Sequence, residues 1–351
     1  MFKVLFLIAI IQFTVANAEE YFLKIDHHKT PHQISDAPLT KFFSKGRVEI
    51  FKVIDGEDFD VSALKNFQKI KKDSWKVIGP ESLKEKLEPN PKVVDLISKL
   101  DASLTRAHLE FSVGQLSRRS GAPGNQNLTK YILDYLKKYD YQVEKDCFSP
   151  GLCNVFGTIE GEIDEYVLIE AHLDSVGRAY AGADDNASGV AGLLELARLL
   201  SEGKHKRGLI IFATNGEESG LIGSKDYVSK IKKTGFISKI KYVLNMDMIG
   251  YNKNGIVDIE TNKPFEDLAI WKSKLVNTYT SLKPEITMPA WGSDHVPFLQ
   301  NGVPSILTIE HWKTKNPCYH RDCDQIELIN FEYMREIIKL NIASSYLKLN
   351  P

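Results

Sequence analysis

From about residue 101 onward, apolar runs of strand length alternate with amphipathic stretches of helix length, and this alternation constrains the fold more than any other feature. Strands are expected over residues 154–159, 166–171, 208–214, 242–246 and 303–309, and helices over 129–138, 186–200, 221–231, 265–282 and 331–347. In the second helix Val190, Leu193, Leu194, Ala197 and Leu200 fall on one face. Strands separated by helices of this length imply a parallel-rich sheet with helices on both faces. The expected fold class is α/β: a single three-layer α/β/α domain over 101–351 with a mixed, mostly parallel central sheet. Hydrophobic residues at 43% supply the apolar material such a core needs.

The first hundred residues read differently. Met1 to Ala18 carries a lone Lys3, an apolar run from Val4 to Val15, and then Ala16-Asn17-Ala18. That is the pattern of a signal peptide over residues 1–18, with a run too short for a span that needs about 20 apolar residues. The mature chain is therefore expected to be secreted or periplasmic. Residues 19–100 are Lys-rich, with one expected strand (47–54) and one expected helix (61–72), a small α+β segment. It ends at Glu88-Pro89-Asn90-Pro91, a helix-disfavouring run that marks a boundary. Its position suggests a propeptide, making the chain a zymogen; a permanent accessory domain is the alternative. His27, His28 and His32 are read as solvated surface.

Charge excludes several partner classes. Forty-five Lys plus Arg against 46 Asp plus Glu leave a net charge of −1, which gives no electrostatic basis for nucleic-acid binding or for a polybasic membrane surface. The four cysteines pair locally, Cys147 with Cys153 and Cys318 with Cys323. In an exported chain this reads as two short-loop disulfides. A zinc knuckle is the rival, but neither pair is Cys-x-x-Cys and neither offers a His at finger spacing.

In open α/β sheets ligands gather beyond the carboxyl ends of the strands. The chain places His172-Leu173-Asp174 there, then Asp184-Asp185-Asn186 before a helix, Glu217-Glu218, Asp247, and a later Tyr319-His320. Arg178 and Arg321 are the only cations nearby in sequence, too few to neutralise these acids. Singly, each residue has an ordinary reading: an isolated Asp at a helix start is usually an N-cap. Together, two His and several carboxylates at one sheet edge compose a metal site.

The motifs Ala171-His172-Leu173-Asp174-Ser175, Gly182-Ala183-Asp184-Asp185-Asn186-Ala187-Ser188-Gly189, Gly216-Glu217-Glu218-Ser219-Gly220, Leu244-Asn245-Met246-Asp247-Met248 and Cys318-Tyr319-His320-Arg321-Asp322-Cys323-Asp324 resemble the M28 family of zinc peptidases. Within that family the chain is similar to secreted bacterial leucyl-type aminopeptidases, from about residue 105 to the C-terminus. The resemblance implies two zinc ions: His172 and Asp247 on one, Glu218 and His320 on the other, Asp185 bridging. It implies a shared water as nucleophile and Glu217 as general base. Asp174 would accept the second N–H of His172, and Tyr319 would donate to the developing oxyanion. Ser293-Asp294-His295 is not a triad, because adjacent side chains point apart and no Gly-x-Ser-x-Gly elbow is present. It resembles a motif lining the site, with Asp294 its leading member and Trp291 just upstream where some relatives carry a Tyr.

The implied activity is removal of N-terminal residues from peptides with a free amine, by a monomer bound to neither nucleic acid nor membrane. The alternative on the same fold is a glutaminyl cyclase, a zinc acyltransferase whose members have Trp where this chain has Tyr319. A catalytically dead binding protein conflicts with the intact Glu217 and ligand positions. A carboxypeptidase-like relative lacks a basic residue placed to grip a C-terminal carboxylate.

Overall fold

The computed structural model describes residues 21–25, 39–45, 48–53, 67–70 and 75–351, the last apart from 116 and 178–180. The proposed signal peptide and the three early histidines lie outside the described residues. The chain divides into two compact units between Lys72 and Asp73.

In the first unit, β1 (Tyr21–Ile25), β2 (Leu39–Lys45), β3 (Val48–Val53) and β4 (Phe67–Ile70) form an antiparallel sheet in the order β2-β3-β1-β4. The strand expected at 47–54 is β3. The helix expected at 61–72 is corrected where it is described, because Phe67–Ile70 pairs with Tyr21–Lys24 as a strand. A partner ladder more than 40 residues away in sequence overrides local helical spacing.

The second unit holds a nine-stranded sheet made of β5 (Lys76–Ile78), β6 (Gln142–Ser149), β7 (Leu152–Ile159), β8 (Ile163–His172), β9 (Arg207–Thr214), β10 (Ile240–Met246), β11 (Ile256–Glu260), β12 (Lys283–Met288) and β13 (Ser305–Glu310). Its order is β5-β12-β11-β13-β10-β8-β9-β7-β6. The central block β13-β10-β8-β9 is parallel, as is β11 with β12; the other pairings are antiparallel. The sheet is therefore mixed, with its parallel part at the centre.

Alternation along the central strands builds the three layers. Val167, Ile169 and Ala171 of β8, with Leu209, Ile211 and Ala213 of β9, join the larger core. That core also contains side chains of α3 (Pro123–Lys138), α4 (Gly189–Leu200), α6 (Glu266–Tyr279) and α8 (Phe331–Leu349). Tyr166, Leu168, Ile210 and Phe212 point the other way and pack with Val228 and Ile231 of α5 (Ile222–Thr234) and Phe298 of α7 (His295–Gln300).

The two compact units divide at 72/73, and β5 and α1 (Pro91–Ser98), which the sequence groups with the N-terminal segment, belong to the second unit. β5 pairs antiparallel with β12, and α1 buries Val93 and Leu96 in the second unit. The Asn90 side chain accepts from the backbone N–H groups of Lys92 and Val93 at 2.9 and 3.3 Å, so Asn90 is an N-cap and Pro91 opens the helix. The prolines that read as a break are a helix start.

Candidate metal centre

The carboxyl ends of the parallel strands converge on one set of donors. β8 ends in His172, β10 leads into Asp247, and the loop after β9 carries Glu217 and Glu218. The turn before α4 supplies Asp185, whose peptide bond to Asn186 is cis. The loop after β13 supplies His320 in the left-handed region at φ 58°, and the Cys318–Cys323 disulfide closes the short loop around it. Nε2 of His172 lies 3.3 Å from Asp185 Oδ1 and 3.3 Å from Asp247 Oδ1. Nε2 of His320 lies 3.1 Å from Asp185 Oδ2 and 3.1 Å from Glu218 Oε2. The two oxygens of Asp185 thus face different histidines. Donor atoms of His172, Asp185 and Asp247, of Asp185, Glu218 and His320, and of His172, Glu217 and Glu218 form three groups, each within 4.8 Å.

Buried hydrogen bonds orient these donors. His172 Nδ1 meets the main-chain carbonyl of Asp174 at 3.1 Å, leaving Nε2 for the centre. The Asp174 carboxylate is 3.7 Å from that ring and accepts instead from the backbone N–H groups of Glu217 (3.1 Å) and Glu218 (3.3 Å). Asp174 therefore fixes the ring through its backbone and the Glu-Glu turn through its side chain. Ser293 Oγ donates to Asp247 Oδ2 at 2.7 Å and accepts from Asn245 Nδ2 at 2.7 Å. Asp324 accepts from the backbone N–H groups of Asp184 and Asp185 at 3.1 and 3.0 Å, seating the turn that aims Asp185.

The electrostatics call for added positive charge. Burial alone would lower both imidazoles, yet Asp247, Asp174 and Asp185 raise His172 well above its usual value, and Asp185 and Glu218 push His320 up to about 10. Burial alone would raise Asp185, but His172 and His320 hold it well below the carboxylate range. Without another cation this donor set needs a proton on each histidine. Imidazole nitrogen with carboxylate oxygen is the ligand chemistry of zinc, so the residues fit that metal.

The model of peptidase family M28 matches residues 154–345, more than half of the chain. The chain belongs to peptidase family M28. Leucine aminopeptidase 1 of Trichophyton rubrum is 33% identical over 213 residues, which span 54% of this chain and 56% of that protein. The chain thus spans little more than half the length of that relative. Among solved structures, the LapA aminopeptidase of Legionella pneumophila superposes with a TM-score of 0.71 at 18% identity, covering 95% of this chain and 99% of the other. Glutaminyl cyclase of Porphyromonas gingivalis gives 0.61 at 21% identity, covering 71% and 98%.

The remaining predicted residues of this M28 chain fall into distinct places. The Tyr319 ring stacks on His320 at 3.8 Å between centroids and meets the Trp312 ring edge-on at 5.3 Å. Trp291 is half-buried in the loop after β12, its backbone N–H 3.5 Å from Glu260 Oε2. Asp294 is fully buried and accepts from Ser224 at 2.6 Å and from Thr214, tying α5 to the end of β9. Burial raises its carboxyl to about 6. Both expected disulfides are present, Cys147–Cys153 and Cys318–Cys323.

Sequence reasoning missed two cations. Arg118 is fully buried and donates to the carbonyls of Leu173 (3.2 Å), Ser112 (3.3 Å), Gly182 (2.9 Å) and Ala181, bracing the loops on either side of the centre. Burial lowers it to about 10, so it stays charged at neutral pH. Lys315 lies 3.7 Å over the Trp312 ring and 4.4 Å over Tyr319, its ammonium lowered by burial to about 8. Arg118 had no local signal, since its partners Leu173 and Gly182 lie 55 and 64 residues further on, whereas Lys315 is only three and four residues from Trp312 and Tyr319.

Proposed function

We propose that this chain is an exported di-zinc aminopeptidase that removes N-terminal residues from peptides. The observation that carries the reading is Asp185, whose Oδ1 and Oδ2 reach toward His172 and His320 respectively. His172 and Asp247 would hold one ion, His320 and Glu218 the other, with Asp185 shared between them. Bound zinc would polarise the scissile carbonyl and make water a competent nucleophile at neutral pH.

The chain's own residues supply the rest. Glu217 is 3% exposed, next to the ligand Glu218 and grouped with His172, and takes the role of general base: it accepts a proton from the attacking water and returns it to the leaving amine. Tyr319, held flat against His320, donates its hydroxyl to the carbonyl oxygen as charge grows there. Asp174 keeps Glu217 and Glu218 in register by accepting from both backbone N–H groups. The signal-like residues 1–18 and the two disulfides support export, and the first unit would act as a propeptide.

The test is hydrolysis of leucyl-nitroanilide by the purified chain before and after prolonged chelation. Activity should vanish with the metal and return with zinc, at about two ions per chain for a shared-carboxylate centre. Full activity in protein shown metal-free by elemental analysis refutes the reading. Ring closure of a Gln-initiated peptide without release of leucine from the nitroanilide would favour a glutaminyl cyclase instead.

A further inference from the structure

If the chain cleaves N-terminal residues as proposed, the proton returned by Glu217 fixes where the leaving residue must lie. A general base works within about 2.6–3.2 Å of the atom it protonates. The amine of the second substrate residue therefore ends beside Glu217, so the side chains around the Glu217 turn are the candidates for contact with that residue. Gly216 immediately precedes Glu217. It sits at φ 78°, where a side chain is strained, and a methyl placed on it would lie 3.5 Å from Ile222 Cβ, 3.7 Å from Phe148 Cζ and 3.8 Å from Ser120 Oγ.

Both apolar groups are positioned by unusual local structure. Ile222 opens α5 and is 40% exposed, one of three large hydrophobic side chains exposed among the described residues, with Val94 and Ile163. Its backbone N–H donates to Gly216 O at 3.0 Å, which holds it at the Glu217 turn. Phe148 lies where the β6–β7 register slips, between the pairs Cys147↔Cys153 and Ser149↔Leu152. A bulge of this kind re-aims one side chain out of the ladder, and bulges recur beside active sites. The Cys147–Cys153 disulfide clamps the ladder at the bulge. Ser120 completes the wall and binds Asp174 Oδ2 at 3.2 Å, so the wall is continuous with the Glu-Glu turn.

We propose that Phe148 and Ile222 form the subsite for the second residue of the substrate, giving the enzyme a preference for peptides whose second residue is apolar. The inference rests on the aminopeptidase reading and fails separately from it. The experiment compares kcat/KM of the zinc-loaded chain for Leu-Leu-amide and Leu-Gly-amide, in the wild type and in Phe148→Ala and Ile222→Ser. The wild type should favour Leu-Leu-amide by on the order of 10-fold, the discrimination an apolar pocket gives for a few methylenes. Each variant should cut that ratio by roughly 3- to 10-fold. Ile222→Ser changes an exposed side chain and carries the test if Phe148→Ala folds poorly. Equal rates for the two substrates in the wild type overturn this subsite while leaving the aminopeptidase intact. So does a loss in the variants that is the same for both substrates, which marks a merely structural role. If the wild type cleaves neither, both readings fall.

Discussion

Replacing His108 with Gln should make the protein less sensitive to acid. His108 lies on α2 (Ala102–Gly114), fully buried, with Nδ1 2.7 Å from the Tyr131 hydroxyl and its ring edge-on to Tyr135 at 4.5 Å. Burial, aided by the charge of Arg198, lowers its imidazole from 6.5 to about 4. The folded state therefore prefers the neutral ring, and between those two values the unfolded chain binds more protons. Stability is unaffected by this group above pH 6.5, falls as the pH drops through the window, and levels off below about 4. The difference between those two values corresponds to at most roughly 3 kcal/mol, most of which has been lost at about pH 4.5. Gln does not titrate in this range. Urea unfolding at about pH 7 and about pH 4.5 should show the wild type losing roughly 2 to 3 kcal/mol more than His108→Gln between the two. Groups common to both proteins, the metal centre included, cancel in that difference unless they couple to residue 108. Equal losses in the two proteins would refute the argument. The test bears on the centre because α2 packs against α4 and against the turn that carries Asp185.

Three further outcomes are expected. Glu217→Ala should lose about 10²–10⁴-fold in rate while keeping its metal, and Glu218→Ala should lose metal on elemental analysis; the reverse pattern would exchange their roles. Tyr319→Phe should lose about 10–10³-fold, mainly in kcat rather than KM, and an unchanged kcat would leave Tyr319 a packing residue against His320. Limited proteolysis should give a stable fragment beginning near residue 73, where the second unit starts, with activity rising as it appears; an uncleaved chain as active as the fragment would make the first unit an accessory domain.

The central strands were legible because both their faces are buried, so they run as near-continuous apolar segments. β8, β9 and β10 lie within two residues of their expected bounds at each end, apart from the earlier start of β8. The strands that escaped notice carry polar residues for reasons visible only in three dimensions. β6 is an edge strand with Glu144, Lys145 and Asp146 along it, as edge strands tend to be. β11 and β12 bury Asp258, Glu260 and Glu285, and the Thr287 hydroxyl donates to Asp258 Oδ1 at 3.0 Å. A buried acid with a cross-strand partner looks like a solvated loop until the partner is known. Pro-Asn-Pro carries the same ambiguity, since it signals a break and a capped helix start equally well.

At the centre, residues readable from the chain are those whose position at a strand end already says what they face. His172, Glu217, Glu218 and Asp247 follow apolar strands directly, and their chemistry is carried by residue type. What aims them is another matter. Arg118 binds carbonyls 55 and 64 residues further on, and Asp324 binds backbone N–H groups about 140 residues before it. The Ser293-Asp294 pair makes the distinction concrete. The family resemblance singles out Asp294, yet adjacent side chains diverge, and it is the hydroxyl of Ser293 that reaches Asp247 while Asp294 turns toward Thr214 and Ser224. Charge marks which residues can do chemistry; direction, set by backbone geometry, decides which of them touch the reacting centre.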